Sequence, residues 1–155
     1  MKKPLRFLTA ASVAATLALG LGAVHSVHAF DEHEATIDYR QGVMRSIGGN
    51  VGSIAAIVVD GADYGDNLEM HTSHLVELTA DIPALFPEGS DFPDTDAKEE
   101  IWDDWERFQE LAQDTKDAAE ELHAAVEAGD DDELPIRFRN LGQSCQACHD
   151  DFRRD

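Results

Sequence analysis

Two cysteines and a histidine stand together near the C-terminus, in the stretch Cys145-Gln146-Ala147-Cys148-His149, which holds both cysteines of the chain. Two thiols three residues apart lie about one turn apart on a helix, so both can form thioethers with the vinyl groups of one haem. The histidine that follows at once can ligate the iron as an axial ligand. The motif therefore predicts one covalently attached haem c.

Other uses of a C-x-x-C pair find less support in this sequence. A redox dithiol normally lies near a βαβ pattern, and the chain shows no such pattern. A zinc site needs further cysteines or histidines at a characteristic spacing, and none follow. A plain structural disulfide requires nothing more than the two thiols, so it stays open as an alternative.

The N-terminal segment is typical of an exported protein. Three basic residues precede an apolar run, and residues 27–29 (Val-His-Ala) offer a small-residue cleavage site. We predict a cleaved signal peptide over 1–29 and a single haem domain over 30–155. A retained membrane anchor is less favoured because Gly20 and Gly22 interrupt the apolar run. Export to the bacterial periplasm, an oxidising compartment, is the expected localisation.

The charge of the remaining chain is strongly negative. Without residues 1–29 the chain has nine Lys and Arg against 32 Asp and Glu, a net charge of −23 with histidine neutral. This charge argues against nucleic acid or an anionic membrane as partner, and no insertion into the membrane is expected after signal cleavage. It favours redox partner proteins with a basic docking face. An acidic chain with only Lys98 and Lys116 left also suggests adaptation to high salt.

Four helical patterns follow, and no convincing strand alternation is present. The first three predicted helices span about 33–59, 65–80 and 96–128, and the fourth begins between Asp132 and Pro135. A proline-rich loop of about fifteen residues separates the second helix from the third. A loop of this length in a small domain is often functional or packed over another part of the protein. The pattern predicts an all-α protein, an antiparallel up-down-up-down four-helix bundle with covalently attached haem.

Three motifs in this order resemble the cytochrome c′ family, the class II c-type cytochromes, over essentially the whole chain after residue 29. They are Tyr39-Arg40-Gln41-x-x-Met44, Asp96-Ala97-Lys98-x-Glu100-Ile101-Trp102, and Cys145-x-x-Cys148-His149-Asp150-x-Phe152-Arg153. The resemblance implies a four-helix bundle with the haem motif near its C-terminus. Family members often pair as homodimers through helices one and two, and Gly48, Gly49 and Gly52 allow a close approach there.

The resemblance also implies roles for residues on helix one. Arg40 and Gln41 match positions that contact haem and its propionates, and a guanidinium suits a carboxylate through charge-assisted bonds. Met44 matches the position over the distal face, where a bulky apolar side chain blocks the sixth site of the iron without binding it.

Further haem contacts are implied beyond helix one. Asp96, with Thr95 beside it, matches a haem-contacting position at the start of helix three. Arg153 lies four residues after His149 and matches a basic residue beside the proximal ligand. Phe152 stands where family members often have tyrosine, so a hydrogen bond from that hydroxyl is absent.

The expected function is electron transfer, or binding of NO or CO at a five-coordinate high-spin iron, without enzymatic turnover. A low-spin electron carrier with Met44 as sixth ligand is the nearest alternative. A haem enzyme of the peroxidase or NO-detoxifying type is more remote, because peroxide chemistry needs a distal acid–base group and no histidine falls next to Met44 in the sequence.

Overall fold

The computed structural model describes residues 24–154, with side chains described from residue 33 onward. Its α-helices are α1 (Val24–Val58), α2 (Leu68–Thr79), α3 (Glu100–Asp103), α4 (Trp105–Ala128) and α5 (Leu134–Phe152). Short 3-10 turns at Gly65–Asn67 and Ile82–Leu85 flank α2. Within residues 24–154, β-structure is limited to one isolated antiparallel bridge between Ala97 and Arg153.

The four longer helices form a bundle in chain order. α1 packs against α2, α2 against α4, and α4 against α5, whereas α1 and α5 touch only sparsely. The link from α4 to α5 is short because Gly129 ends α4 in the left-handed conformation (φ 64°), where its N–H reaches the carbonyls of Ala125 and Val126. The predicted all-α four-helix bundle is confirmed.

The predicted start of the third helix at residue 96 was wrong. Helical structure begins with the single turn α3, and Asp104 (φ −124°, ψ 56°) then interrupts it before α4. The Asp104 carboxylate accepts a hydrogen bond from the Arg107 N–H at 3.3 Å, so it caps α4. Aspartate competes with the helix backbone for such bonds, and a continuous apolar stripe across the break concealed this from the sequence pattern.

The core consists of two clusters of buried side chains. The aliphatic cluster lies between α1, α2, α4 and the first half of α5, and comprises Ile47, Ile54, Leu75, Ala119, Leu122, Ala125, Leu134 and Leu141. The aromatic cluster lies around the loop after α2 and the end of α5, and comprises Ile82, Phe86, Ala97, Ile101, Phe108, Leu111, Ala112 and Phe152. α5 contributes Leu141 to the first and Phe152 to the second, and the C-x-x-C-H motif lies between these two anchors.

The N-terminal part of α1 extends beyond the predicted helix. α1 begins at Val24, so the predicted cleavage after Ala29 falls within it. Residues 1–23 of the predicted signal peptide lie outside the described residues, and the signal peptide stays a prediction. In the part of the chain that is described, no helix combines the length and apolarity needed to cross a bilayer.

Candidate haem site

The C-x-x-C-H motif lies on a regular part of α5, as its spacing predicted. Cys145 and Cys148 are both half-buried, and no disulfide joins them. Cys145 packs against the aliphatic cluster and Cys148 against the aromatic cluster. The two thiols therefore face the protein side of α5, at the junction of the two clusters.

The pKa values of the two thiols disfavour a redox dithiol. Burial raises the pKa of Cys145, and it raises the pKa of Cys148 to about 11, with the charges of Cys145 and Asp151 adding to the effect. Both thiols are therefore protonated at neutral pH. A redox C-x-x-C pair depends on a cysteine whose pKa is lowered.

His149 lies on the solvent side of the same helix turn. It lines a groove of about 450 Å³ together with Lys98, Gln146, Asp150, Arg153 and Arg154. Partial desolvation of its ring lowers the pKa of His149, as does the charge of Arg153, against the opposing effect of Asp150. A lowered pKa favours the neutral imidazole, which is the form that ligates a metal.

Segment 95–98 runs antiparallel beside the residues that follow His149. The Lys98 N–H donates to the Phe152 carbonyl at 3.0 Å, and the Arg154 N–H donates to the Asp96 carbonyl at 2.7 Å. The Arg153 guanidinium lies 3.7 Å from the Asp96 carboxylate, with both side chains exposed. The structure thus brings Asp96 and Arg153, two predicted site residues, directly together.

Arg40 is the most deeply buried charged residue among those described, with 2% of its surface exposed. Its guanidinium donates to Ser90 Oγ at 2.7 Å, to the Ser90 carbonyl at 2.5 Å and to Thr95 Oγ1 at 2.6 Å. It also lies 4.8 Å above the centre of the Phe86 ring. Arg40 therefore ties α1 to the loop that follows α2.

The environment of Arg40 fits an anionic ligand. Burial lowers the pKa of Arg40, and the charge of Asp91 opposes this effect. Among the described residues, no carboxylate lies within ion-pair distance of the Arg40 guanidinium. A buried charge is costly unless it is paired. Two of its five N–H donors remain beyond the three bonds above. A propionate of a bound haem would supply the missing charge and the acceptors.

Met44 lies at the same junction as the cysteines. It is half-buried and packs against both the aliphatic and the aromatic cluster, which are the clusters that Cys145 and Cys148 contact. The structure therefore brings the predicted distal residue of α1 and the attachment motif of α5 to one region of the core.

Gln41, the neighbour of Arg40 on α1, contacts the same loop at the surface. Gln41 Nε2 donates to the Asp94 carbonyl at 2.8 Å, an exposed contact that fastens the loop. Sequence reasoning gave no role to Phe86 or Ser90, because their contact with Arg40 spans about fifty positions and has no local signal. Lys98 belongs to the second of the three motifs, but the resemblance assigned it no role. Its position just before a helix was the one sequence signal that pointed to it.

Comparisons with known proteins identify the family of this chain. The family model described as cytochrome C′ matches residues 35–153. Cytochrome c′ of Rhodospirillum rubrum is 30% identical over 122 residues, covering 78% of this chain and 83% of that protein. The crystal structure of cytochrome c′ from Thermochromatium tepidum gives a TM-score of 0.74 at 28% identity, covering 79% of this chain and 97% of that chain.

A second structural relative was solved with a ligand. The nitric oxide complex of a mutant of cytochrome c prime from Alcaligenes xylosoxidans is 32% identical, with a TM-score of 0.73, and covers 79% of this chain and 96% of that chain. The family model spans nearly all of the described residues, including the three motifs. The chain therefore belongs to the cytochrome c′ family, whose members carry one covalently bound haem c.

Proposed function

We propose that this protein is a periplasmic cytochrome that transfers electrons and binds NO or CO at a haem held by Cys145, Cys148 and His149. The observation that carries the proposal is the convergence of both half-buried thiols and Met44 on the junction of the two core clusters. When bound, haem c supplies an iron that cycles between ferric and ferrous states and accepts a small uncharged ligand.

The other predicted site residues would attach the haem, ligate its iron and bind its propionates. Cys145 and Cys148 would hold the cofactor on α5, and His149, whose lowered pKa favours the neutral imidazole, would ligate its iron. Arg40 supplies a buried positive charge for a propionate, held in place by Ser90 and Thr95. Gln41, Asp96 and Arg153 lie at the exposed rim, where they shield or orient the same group.

Met44 would control which small ligands can bind to the haem iron. As an apolar side chain without a hydrogen-bond donor, it disfavours water and O₂ and leaves room only for small uncharged ligands such as NO or CO. The nitric oxide complex of a mutant of a related cytochrome c prime supports NO as a ligand.

A second candidate function rests on the same residue. Met44 is a thioether on the side of α1 that faces both clusters next to the cysteines, so it is also placed to serve as sixth ligand. The protein would then be a low-spin electron carrier, because methionine–histidine ligation closes the iron to gases and raises its potential.

We further propose that the protein is not an enzyme. Peroxide turnover needs a distal acid–base group, and two of the described histidines are already engaged with neighbours. His71 Nδ1 lies 2.9 Å from Asn50 Oδ1, and His123 Nδ1 lies 2.9 Å from Thr72 Oγ1. The strongly negative chain favours a redox partner with a basic docking face.

Optical and EPR spectra of the purified holoprotein, ferric and ferrous, with and without NO, test the proposal. A high-spin spectrum with ready NO binding is the expected result. A low-spin spectrum with a methionine–iron band near ~695 nm would establish the second candidate instead. Rapid peroxide turnover would overturn the non-enzymatic assignment, and absence of covalent haem would overturn both functions.

A further inference from the structure

Lys98 caps the C-terminal end of α5, the helix that carries the haem motif. Lys98 Nζ donates to the carbonyl oxygens of Asp150 and Asp151, each at 3.1 Å. Its backbone N–H donates to the next carbonyl, that of Phe152, at 3.0 Å. The last carbonyls of a helix have no partner within the helix. Lys98 alone therefore satisfies three successive carbonyls at the end of α5.

These carbonyls begin at the residue after His149. Lys98 and His149 line the same groove of about 450 Å³. The Lys98 ammonium also lies at the negative end of the α5 dipole, where a cation is stabilising. The last turn of α5, which follows His149 directly, is thus contacted by a side chain from the segment before α3.

The other cations of the groove do not share this task. The Arg153 guanidinium lies 3.7 Å from the Asp96 carboxylate, and Arg154 donates to the Thr95 carbonyl at 3.0 Å. Both point from the end of α5 toward segment 95–98. Among the described side chains outside α5, Lys98 is the one that donates to the carbonyls of its last turn.

We propose that Lys98 is a positioning residue for His149. By fastening the last turn of α5, it limits how far His149 can move away from the iron. This inference rests on the haem function proposed above. It predicts that loss of Lys98 would let NO displace His149 from a bound iron more readily.

The variant Lys98→Met tests the inference, because it keeps the apolar stem and removes the charge and donors. In the holoprotein we expect amide hydrogen exchange over residues 150–154 to become roughly three- to tenfold faster, as expected when charged hydrogen bonds to a helix end are lost. We also expect the EPR spectrum of the NO-treated protein to contain a larger fraction without an axial histidine. Lys98→Arg, which keeps a cationic donor, should restore both measurements.

Lys116→Met is the matched control. It removes the other lysine of residues 30–155, which lies on α4 and makes only a 4.0 Å ion pair with Glu120. We expect neither measurement to change in this variant. Should Lys98→Met fail to accumulate as a folded haem protein, Lys98→Gln offers a milder loss of charge for the same comparison.

The outcomes separate the two proposals. Faster exchange without a change in the NO spectrum would make Lys98 a structural cap only and would overturn the positioning role. No change in either measurement would overturn it as well. If the wild-type protein carries no covalent haem, the proposed function itself fails, and the positioning role fails with it.

Discussion

Among single residues, Cys145 and Cys148 are placed to attach one haem together. Each contacts a different core cluster, and burial keeps each protonated at neutral pH. Neither thiol is therefore adapted for redox exchange. In the proposed function, the two thiols form two bonds to one haem, which would fix the position of the haem relative to α5.

Replacing both cysteines should release the haem under denaturing conditions. In Cys145→Ser with Cys148→Ser, we expect loss of all haem staining on a denaturing gel, because no thioether remains. Either single variant should keep some staining through the remaining bond. Ser144→Ala, next in α5, is the control and should stain like wild type. Staining that persists in the double variant would contradict covalent attachment at this motif.

Met44→Ala distinguishes the blocking role of Met44 from ligation. If Met44 only covers the distal face, the ferric spectrum should stay high-spin while CO or NO affinity rises by about tenfold or more, since a steric cost of roughly 1.4 kcal/mol corresponds to tenfold. Val43→Ala, a neighbouring half-buried position, should change the affinity much less. A shift from low-spin to high-spin on the same substitution would instead identify Met44 as a ligand.

At the scale of elements, the loop between α2 and α3 is organised by Arg40. Three of its donors hold Ser90 and Thr95, and its guanidinium covers Phe86. Phe86 in turn meets Phe108 edge-on at 4.9 Å, and Phe108 meets Phe152 at 5.4 Å. One buried cation on α1 is thus linked through aromatic contacts to the end of α5.

Arg40→Met should lower the free energy of unfolding by roughly 2–4 kcal/mol, because the hydroxyl and carbonyl of Ser90 and the hydroxyl of Thr95 lose their buried donor. Urea unfolding of the holoprotein, followed by circular dichroism, measures the change. The control is Arg45→Met, an exposed arginine on the same helix, which should cost less than about 0.5 kcal/mol. Equal effects of the two substitutions would contradict a structural role for Arg40.

The sequence predicted those features that depend on local spacing. The helical patterns and the motif on α5 are of this kind, because residues three or four positions apart share one helix face. The break at Asp104 was missed because the apolar stripe continues on both sides of it. The contacts of Arg40 with Ser90 and of Lys98 with Asp150 span 50 and 52 positions, so their pairing depends on how the helices pack.

At the scale of the whole molecule, the net charge of −23 for residues 30–155 opposes the compact state by self-repulsion. We expect the midpoint of thermal unfolding to rise by several degrees (about 5 °C) between dilute buffer and molar salt, because counterions screen that repulsion. Repeating the series near pH ~4, where carboxylates are partly protonated, should shrink the salt effect. Equal stability in dilute buffer and molar salt would contradict salt adaptation.

The same charge should govern self-association. The resemblance implies a homodimer through α1 and α2, and each helix exposes a large hydrophobic side chain, Tyr39 at 67% on α1 and Met70 at 47% on α2. Screening weakens the repulsion between two acidic copies, whereas burial of apolar surface is not weakened by salt. Sedimentation should therefore show monomers in dilute buffer and dimers in molar salt.

Two glycine substitutions locate the interface. A Cβ added at Gly49 on α1 or at Gly142 on α5 meets no atom within 4 Å, so we expect neither substitution to disturb the monomer. Gly49→Gln should prevent dimerisation in molar salt, because glutamine occupies the space that a second α1 would need. Gly142→Gln should leave the dimer intact, since α5 is not part of the expected interface. If Gly142→Gln alone abolished association, the dimer would form through α5, beside the haem motif. Salt would then also control access of other molecules to that motif.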